Sequence, residues 1–456
     1  MPRFLYSYTH LACDFHRAGT HDFSFPFPRR PPHGILFQAP DHPRVRPPVN
    51  ASVISTPTPD TSLQSATPAL KPLRNLVQLG FWAPGMAFVR RCRDAGVAVH
   101  LLHVTDEQPH PGRICSALAS ASESLPWNQI GSEAGLARIA AFARSVDADA
   151  IATIDEFSLL WLARNRHIFE PRCRLLASPA ASIERLLEKS EQTTLARQAG
   201  FQVLESWLLH TPADAGLIRA AAFPICLRPT YINSVDPPFK ARRINSPQQL
   251  RDFVADTTWR DHPLLAQPFR FGPNIVLHGV RTPSGEFLAL QGFRAYRKFS
   301  GFALSLEPCD LPRSVMDAAR RFAALAAIDV PFHFDLLEAD GEIYFLEVNF
   351  RMGGTTAKVV RLGYDEPLLA LAAYGLQPPL SPPPLPAARR VTGKRMLAAQ
   401  MLSALRRPAG DMDFPQRSRL WTLSTALWEM LTVPDALLSR RDLPGSLWYL
   451  RRGGRM

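Results

Sequence analysis

The segment Pro331 to Gly354, PFHFDLLEADGEIYFLEVNFRMGG, gathers acid, amide and guanidinium groups in an otherwise apolar stretch. It reads as a strand over Phe332 to Leu337, a turn at Asp340-Gly341, and a second strand over Ile343 to Asn349. Antiparallel pairing of the two strands brings Asp335 beside Glu347, and alternation puts Glu347 and Asn349 on one face. Unpaired carboxylates on a sheet face built of Phe, Leu, Ile and Val are costly, and a hard cation relieves that cost. Magnesium, or manganese in its place, takes one or two carboxylates together with phosphate oxygens and water, which suits Asp335, Glu347 and Asn349. Arg351 follows Asn349 by two residues, and Gly353-Gly354 let backbone approach a ligand closely. A plain Glu347–Arg351 salt bridge at a strand end is the alternative; the company of the other residues favours a site for a cation and phosphate.

Two units must position this segment. The first opens with the apolar run Asn75 to Leu79, the turn Gly80 to Gly85, a helix from Met86 stopped by Gly96, and the apolar run Val97 to Val104. Strand, glycine turn, helix, strand is the signature of a parallel sheet. A further unit follows, with Ser132 capping a helix to about Val146 and a buried strand from Ala148 to Ile154. Asp155-Glu156 then sit at a carboxyl end, where ligands of open α/β sheets bind, and are candidates for receiving an amino group. The Gly80 turn is not a G-x-G-x-x-G fingerprint. From residue 182 the pattern becomes α+β: a helix over Ser182 to Gln198 ended by Gly200, then short strands and hairpin turns. Strands of Ile275 to Val280 and Phe287 to Leu290 flank the turn Pro283-Ser284-Gly285.

Both ends of the chain differ from this body. Thirteen of the 43 prolines lie between Pro2 and Pro72, and residues 1–73 read as a disordered extension because they cannot bury enough apolar surface. A second proline cluster, Pro378 to Pro386, marks a boundary near 378. Beyond it lie a basic stretch and an amphipathic helix over Arg417 to Leu431, carrying Trp421, Leu423, Leu427, Trp428 and Leu431. That helix packs on its own protein or on a membrane or partner; its pattern favours the former. The expected layout is therefore 1–73 extension, 74–180 α/β domain, 181–377 two-lobed domain, and 378–456 linker with helical extension.

The 456 residues allow about three domains and carry a formal charge of +12, which suits anionic partners without choosing among them. No apolar run is long enough to span a membrane, and residues 1–30 lack the continuous apolar region of a secretory signal. The six cysteines, Cys13, Cys92, Cys115, Cys173, Cys226 and Cys309, are too scattered for a zinc ribbon or a dense disulfide framework. They read as free thiols of a cytoplasmic protein. Neither a G-x-S-x-G elbow nor a G-x-x-x-x-G-K-[ST] loop occurs, so serine-hydrolase and P-loop chemistry are set aside.

An acidic residue on one strand followed by Glu-x-Asn-x-Arg and glycines resembles the metal site of the ATP-grasp superfamily. The branch it is most similar to contains the carbamoyl-phosphate synthase large subunit. The resemblance spans about residues 75 to 375. It implies an ATP-grasp fold preceded by a small, Rossmann-like parallel-sheet domain, an α/β and α+β architecture with a helical C-terminal extension. It also implies that Asp335, Glu347 and Asn349 hold magnesium on ATP, and that Arg351 contacts the phosphoryl group in transfer. Glu188-Lys189 before the helix ending at Gly200 resembles the segment with the first phosphate-binding cation, Lys189. Phe223 to Pro229 resembles the strand with the second, Arg228. Leu264 to Gly272, with Gln267 and Phe269, resembles the adenine hinge, where backbone near Phe269 would read the base edge.

Two positions depart from the family pattern: Thr230 to Arg243 contains no glycine, and Ile275 stands where an acidic residue commonly holds the ribose. Lys240, Arg242 and Arg243 either replace the missing loop amides by charge or form a solvated basic loop. Arg294, with Arg297 and Lys298, is either a charged strand edge or a contact for the γ-phosphate or substrate carboxylate. His333 shares a face with Asp335 and reads as an uncharged structural residue. The function implied is an ATP-dependent ligase that activates a carboxylate as an acyl phosphate for an amine or thiol. The alternatives are an ATP-binding protein that has lost catalysis, and a basic nucleic-acid or membrane-surface binder. The expected partners are a small carboxylate and a small amine, not a nucleic acid. Peripheral membrane contact through the C-terminal helix and a homodimer stay open.

Overall fold

The computed structural model describes residues 71–452, apart from 81–82, 105–118, 127–128, 171, 232–234, 237–238, 240, 257, 260–262 and 386–387. In chain order come β1 (Lys71–Pro72), β2 (Asn75–Leu79), α1 (Ala83–Asp94), β3 (Ala98–Val104), β4 (Ala119–Leu125), α2 (Glu133–Ser145), β5 (Ala150–Thr153), α3 (Glu156–Arg164) and β6 (Arg174–Leu175). Strands β4-β3-β2-β5-β6 pair in parallel. The largely apolar, buried runs of the central strands β2, β3 and β5 suit a sheet covered on both faces. The strand order reverses between β3 and β5 at β2, which opens a crevice at the carboxyl ends of β2 and β5. Ser132 caps α2 through Gly135 N, and Asp155 caps α3 through Ser158 N.

Of the extension expected over 1–73, residues 1–70 lie outside the described residues and the last three lie within them. Lys71–Pro72 pairs in parallel with Leu376–Gln377, and Leu73 is fully buried, so apolar burial fixes these three residues to the body.

The helix expected over Ser182 to Gln198 is two helices, α4 (Ala180–Leu186) and α5 (Lys189–Ala199). Glu188 between them is extended (φ −96°, ψ 114°), and Lys189 N donates to Thr230 O at 3.0 Å. A tertiary hydrogen bond thus outweighs helical continuation, and Lys189 becomes the first residue of a new helix. Gly200 ends α5 with φ +89°, the left-handed cap that glycine adopts readily.

Next come β7 (Gln202–Val203), β8 (Trp207–Leu209), β9 (Ile225–Pro229), β10 (Val235–Asp236), β11 (Arg242–Ile244), α6 (Pro247–Ala255), β12 (Thr258–Trp259) and β13 (Leu264–Pro268). Strands β11-β9-β13-β8 form an antiparallel four-stranded sheet. Leu209, Ile225, Leu227, Ile244 and Leu264 pack there with Leu250 and Val254 of α6.

The largest sheet follows, built from β14 (Asn274–Arg281), β15 (Phe287–Phe299), β16 (Phe302–Cys309), β17 (Pro331–Ala339) and β18 (Glu342–Asn349), with α7 (Arg313–Leu325) between β16 and β17. After it run α8 (Thr356–Arg361), α9 (Glu366–Ala373), β19 (Leu376–Gln377), β20 (Val391–Thr392), α10 (Lys394–Arg406), α11 (Arg419–Thr432) and α12 (Leu443–Arg452). Its order is β20-β16-β15-β14-β17-β18-β7. One face is anchored by an aromatic cluster of Phe201, Phe322, Phe334 and Phe345, with Phe322 and Phe334 edge to face at 5.1 Å.

Two expectations change here. Strand β15 continues past Leu290 to Phe299, so Arg294, Arg297 and Lys298 lie within it rather than after it. The C-terminal extension is not separate: β20 adds a strand to the sheet, and Glu429 of α11 pairs with Arg297 of β15 at 2.7 Å with both buried.

Candidate functional site

Strands β17 and β18 pair with Asp335 opposite Glu347 and His333 opposite Asn349. Opposed residues share a face, so all four project from one side of the large sheet. Asn349 Nδ2 donates to Asp335 Oδ2 at 3.2 Å, and Asp335, Glu347 and Asn349 are half-buried. The register slips between Asp335 and Leu336, which leaves Leu346 as the extra residue of a bulge. Its carbonyl accepts from Arg228 Nη2 at 3.3 Å.

Arg228 reaches this point from β9 of the four-stranded sheet. Its Nη1 lies 4.0 Å from Glu347 Oε2, and its Nη2 donates to Gln267 Oε1 at 2.8 Å. Gln267, on neighbouring β13, donates in turn to Ser206 Oγ at 3.0 Å. Gln267 therefore braces Arg228, and the two sheets face each other through Arg228 and Glu347. The start of α5 closes the cluster, since Lys189 is tied by its backbone to Thr230, two residues beyond Arg228.

One residue that holds the site together carries no motif. Gln192, buried on α5, accepts from Val348 N at 2.9 Å and donates to Val348 O at 3.2 Å. Val348 lies between Glu347 and Asn349, so this amide pair fixes the backbone carrying both side chains. The only sequence signal is its spacing of three from Lys189, which puts both on one helix face.

Arg351 pairs with Glu156 Oε1 at 2.6 Å, and both side chains are buried. Glu156 begins α3 at the crevice between β2 and β5. Asp155 and Glu156 are thus already engaged rather than open to an amino group. Asp155 caps α3 and receives the Thr153 hydroxyl at 3.3 Å, and burial pushes its carboxyl above the usual range.

Beside the acids on the same sheet face, His333 stacks on His278 at 5.0 Å. A Cβ at Gly353 would lie 2.0 Å from the His333 ring, so that glycine is required by the imidazole. His278 contacts Glu366 Oε1 at 2.7 Å and Thr355 Oγ1 at 3.0 Å, and Thr356 Oγ1 donates to Glu366 and accepts from Gly353 N. This buried network holds the turn after Arg351; nothing in the local sequence joins residue 278 to residue 366.

Several expected residues fall elsewhere. Val276 stands between Asp335 and Phe293, whereas Ile275 stands between Leu336 and Arg294. Arg294 is therefore on the opposite face from Asp335, where it forms two hydrogen bonds to Glu338 at 2.8 and 2.9 Å. Phe269 N donates to Pro224 O at 2.8 Å, so that amide is committed within the small sheet. Ile275 is buried in the core. Lys240 lies outside the described residues. Arg243 lies over the Phe269 ring and pairs with Asp411 at 2.9 Å, and Arg242 lies over Phe253. Lys298 Nζ donates to Gly272 O and Asn274 Oδ1, bracing the turn between β13 and β14; burial lowers its pKa to about 8. Cys92, Cys173, Cys226 and Cys309 are free thiols, each pushed up by burial.

A parallel-sheet domain, a small antiparallel sheet carrying a cation, and a large sheet carrying paired acids opposite it define the class: the chain has the ATP-grasp fold. Its particular likenesses are to enzymes of that class. The ADP complex of purK, an N5-carboxyaminoimidazole ribonucleotide synthetase, matches with a TM-score of 0.56 and 13% identity over 80% of this chain and 99% of that one. The L-amino acid ligase from Bacillus licheniformis matches with a TM-score of 0.52 and 16% identity over 68% and 78%. The biotin carboxylase domain of Hydrogenobacter thermophilus 2-oxoglutarate carboxylase, crystallised with MgADP, ADP and bicarbonate, gives 0.51 and 16% over 66% and 70%. No protein-family model and no curated protein sequence matches the chain. At these identities the likeness is one of fold.

Proposed function

We propose that this chain is an ATP-dependent, ADP-forming ligase that activates a substrate carboxylate as an acyl phosphate for attack by an amine or a thiol. The observation that carries this reading is the convergence of Asp335, Glu347 and Asn349 on one sheet face, with Arg228 directed at Glu347 from the facing sheet. Solved structures of the same fold include an amino-acid ligase and an enzyme crystallised with MgADP, in line with a nucleotide at this place.

The donor set fits magnesium. Among the described residues no group of three His, Cys, Asp or Glu forms an all-protein metal cage. Two carboxylates and an amide oxygen fall short of such a cage, as suits an ion that keeps waters and takes phosphate oxygens. Asp335, Glu347 and Asn349 would hold it, and when bound it neutralises charge on the phosphates.

Phosphoryl transfer depends on positioning and charge stabilisation more than on a protein nucleophile. Arg228, braced by Gln267, would hold the α-phosphate side of ATP, with Lys189 beside it. A carboxylate oxygen of the substrate attacks the γ-phosphorus, the bond to the bridging oxygen breaks, and ADP leaves. The nucleophile then attacks the acyl carbon, inorganic phosphate leaves, and the nucleophile's proton passes to solvent. Arg351 stands next to the crevice of the parallel sheet and would neutralise the acyl phosphate, its charge held by Glu156 beforehand. Arg294 has no part in this scheme.

The test is ADP release in the presence of magnesium and pooled carboxylates and amines, with products identified by mass. Turnover that falls by about a hundredfold or more in Glu347→Gln supports the ligase. ATP binding without turnover on any acceptor assigns the chain instead to nucleotide-binding proteins without catalysis.

A further inference from the structure

Helices α10 and α11 pack on the large sheet through Leu397 and Ala426, with the polar Gln400, Thr422 and Glu429 also turned inward. Helix α11 buries Thr422, Ala426 and Glu429, while Leu420 is 80% and Leu431 74% exposed, with Leu427 and Trp428 exposed between them. At about 100° per residue, Leu420, Leu427 and Leu431 form one stripe, and Glu429 lies on the opposite side. Helix α10 repeats the pattern: Leu397 and Gln400 are buried, and Leu402 and Leu405 are exposed. The cause is Arg297, which is 1% exposed within the sheet. A buried guanidinium must be paired, and it takes Glu429 and Thr425 from α11 and Gln400 from α10. Satisfying that charge turns the leucines outward.

Contiguous exposed leucines of this kind mark an interaction surface, and the charge around them selects its partner. Residues 389–452 contain twelve Lys and Arg against five Asp and Glu. Four of the five acids, Asp413, Glu429, Asp435 and Asp442, are buried, and the fifth, Asp411, pairs with Arg243. What reaches the surface is almost wholly cationic, including Arg406, Arg417, Arg419 and Arg440. A shallow cleft between α10 and α11 is lined by Arg407, Arg417 and Arg419. Its carboxylate, Asp413, is already engaged by Ser300 N and Gly410 N.

We propose that this face of α10 and α11 docks on an anionic lipid surface, with the leucines and Trp428 at the acyl boundary and the arginines on lipid phosphates. Leucine and tryptophan on one side with arginine at the margin is the composition of an interfacial helix. No helix among the described residues is long and apolar enough to cross a membrane, so the contact is peripheral. A second copy of the chain fits less well, because a two-fold contact would set the same arginines against each other.

The experiment is flotation of the full chain with phosphatidylcholine vesicles, with and without phosphatidylserine, across a salt series. Binding that requires phosphatidylserine and weakens with salt is expected. Arg417→Gln and Arg419→Gln should each weaken it about fivefold, and Leu427→Ser with Leu431→Ser should abolish it, all with unchanged thermal melting. Trp428→Phe should remove a blue-shifted part of the fluorescence that appears on binding. Absence of flotation, equal flotation on both vesicle types, or indifference to the leucine substitutions overturns the proposal. A concentration-dependent dimer lost in the leucine variant assigns the face to a second copy and overturns it as well.

Discussion

Gln192 shows how little of a site its charged members explain. Its side-chain amide satisfies both the N–H and the C=O of Val348, on a stretch of β18 whose outer edge β7 does not reach, since β7 pairs only with Tyr344 and Phe345. Gln192→Leu leaves both peptide groups without that partner, at a cost of about 1–3 kcal/mol, and lets Glu347 and Asn349 drift. The expected outcome is a kcat reduced about tenfold, with the KM for ATP little changed. The melting temperature falls under either reading, but a purely structural role would leave kcat intact, so kcat separates the two. Residue types announced Asp335, Glu347 and Asn349 as chemistry. They could not announce Gln192, whose partner is a backbone 156 positions away.

At the scale of elements, β15 is where charge is hidden rather than displayed. Arg297 and Glu429 form a buried pair between a strand and a helix 132 residues apart. Arg297→Met or Glu429→Leu alone should cost about 3–5 kcal/mol by urea unfolding, because each leaves the other charge unpaired. The double variant should recover most of that loss. Lys298 on the same strand provides a pH test. Its pKa is about 8 in the folded chain against an ordinary value of 10.5, so between these values the unfolded chain binds more protons. Stability relative to Lys298→Met should therefore rise as pH increases from about 8 to about 10.5, by up to about 1.4 kcal/mol per pH unit. That gain is lost again as pH falls through 8. A flat difference across this window would mean that the folded lysine titrates normally.

Across the whole molecule, Arg351 and Glu156 link the large sheet to the parallel sheet. Arg351→Met should destabilise the chain by about 3 kcal/mol, because it strands a buried carboxylate, and it should also remove turnover. Joining it to Glu156→Met separates the two effects: calorimetry should show stability largely restored, while ADP release stays lost. Restored turnover in the double variant would reduce the pair to a structural tie.

The strand and helix alternation of residues 75–104, the pairing of Asp335 with Glu347 and the common face of Asn349 were legible from sequence, because alternation and turn residues act over a few positions. The resemblance singled out Lys189 and Arg228, and their phosphate-binding roles belong to the proposed function. The break before Lys189, the bracing of Arg228 by Gln267, the pairing of Arg351 with Glu156 and the placement of Arg294 on the far face depend on which surfaces meet. So does the orientation of α11: its apolar period read from sequence as a packing face, yet Arg297 drew the opposite side inward. Local pattern sets what each segment can form, whereas the demand that every buried charge and peptide group find a partner is met only among segments far apart in the chain, and tertiary structure alone decides how.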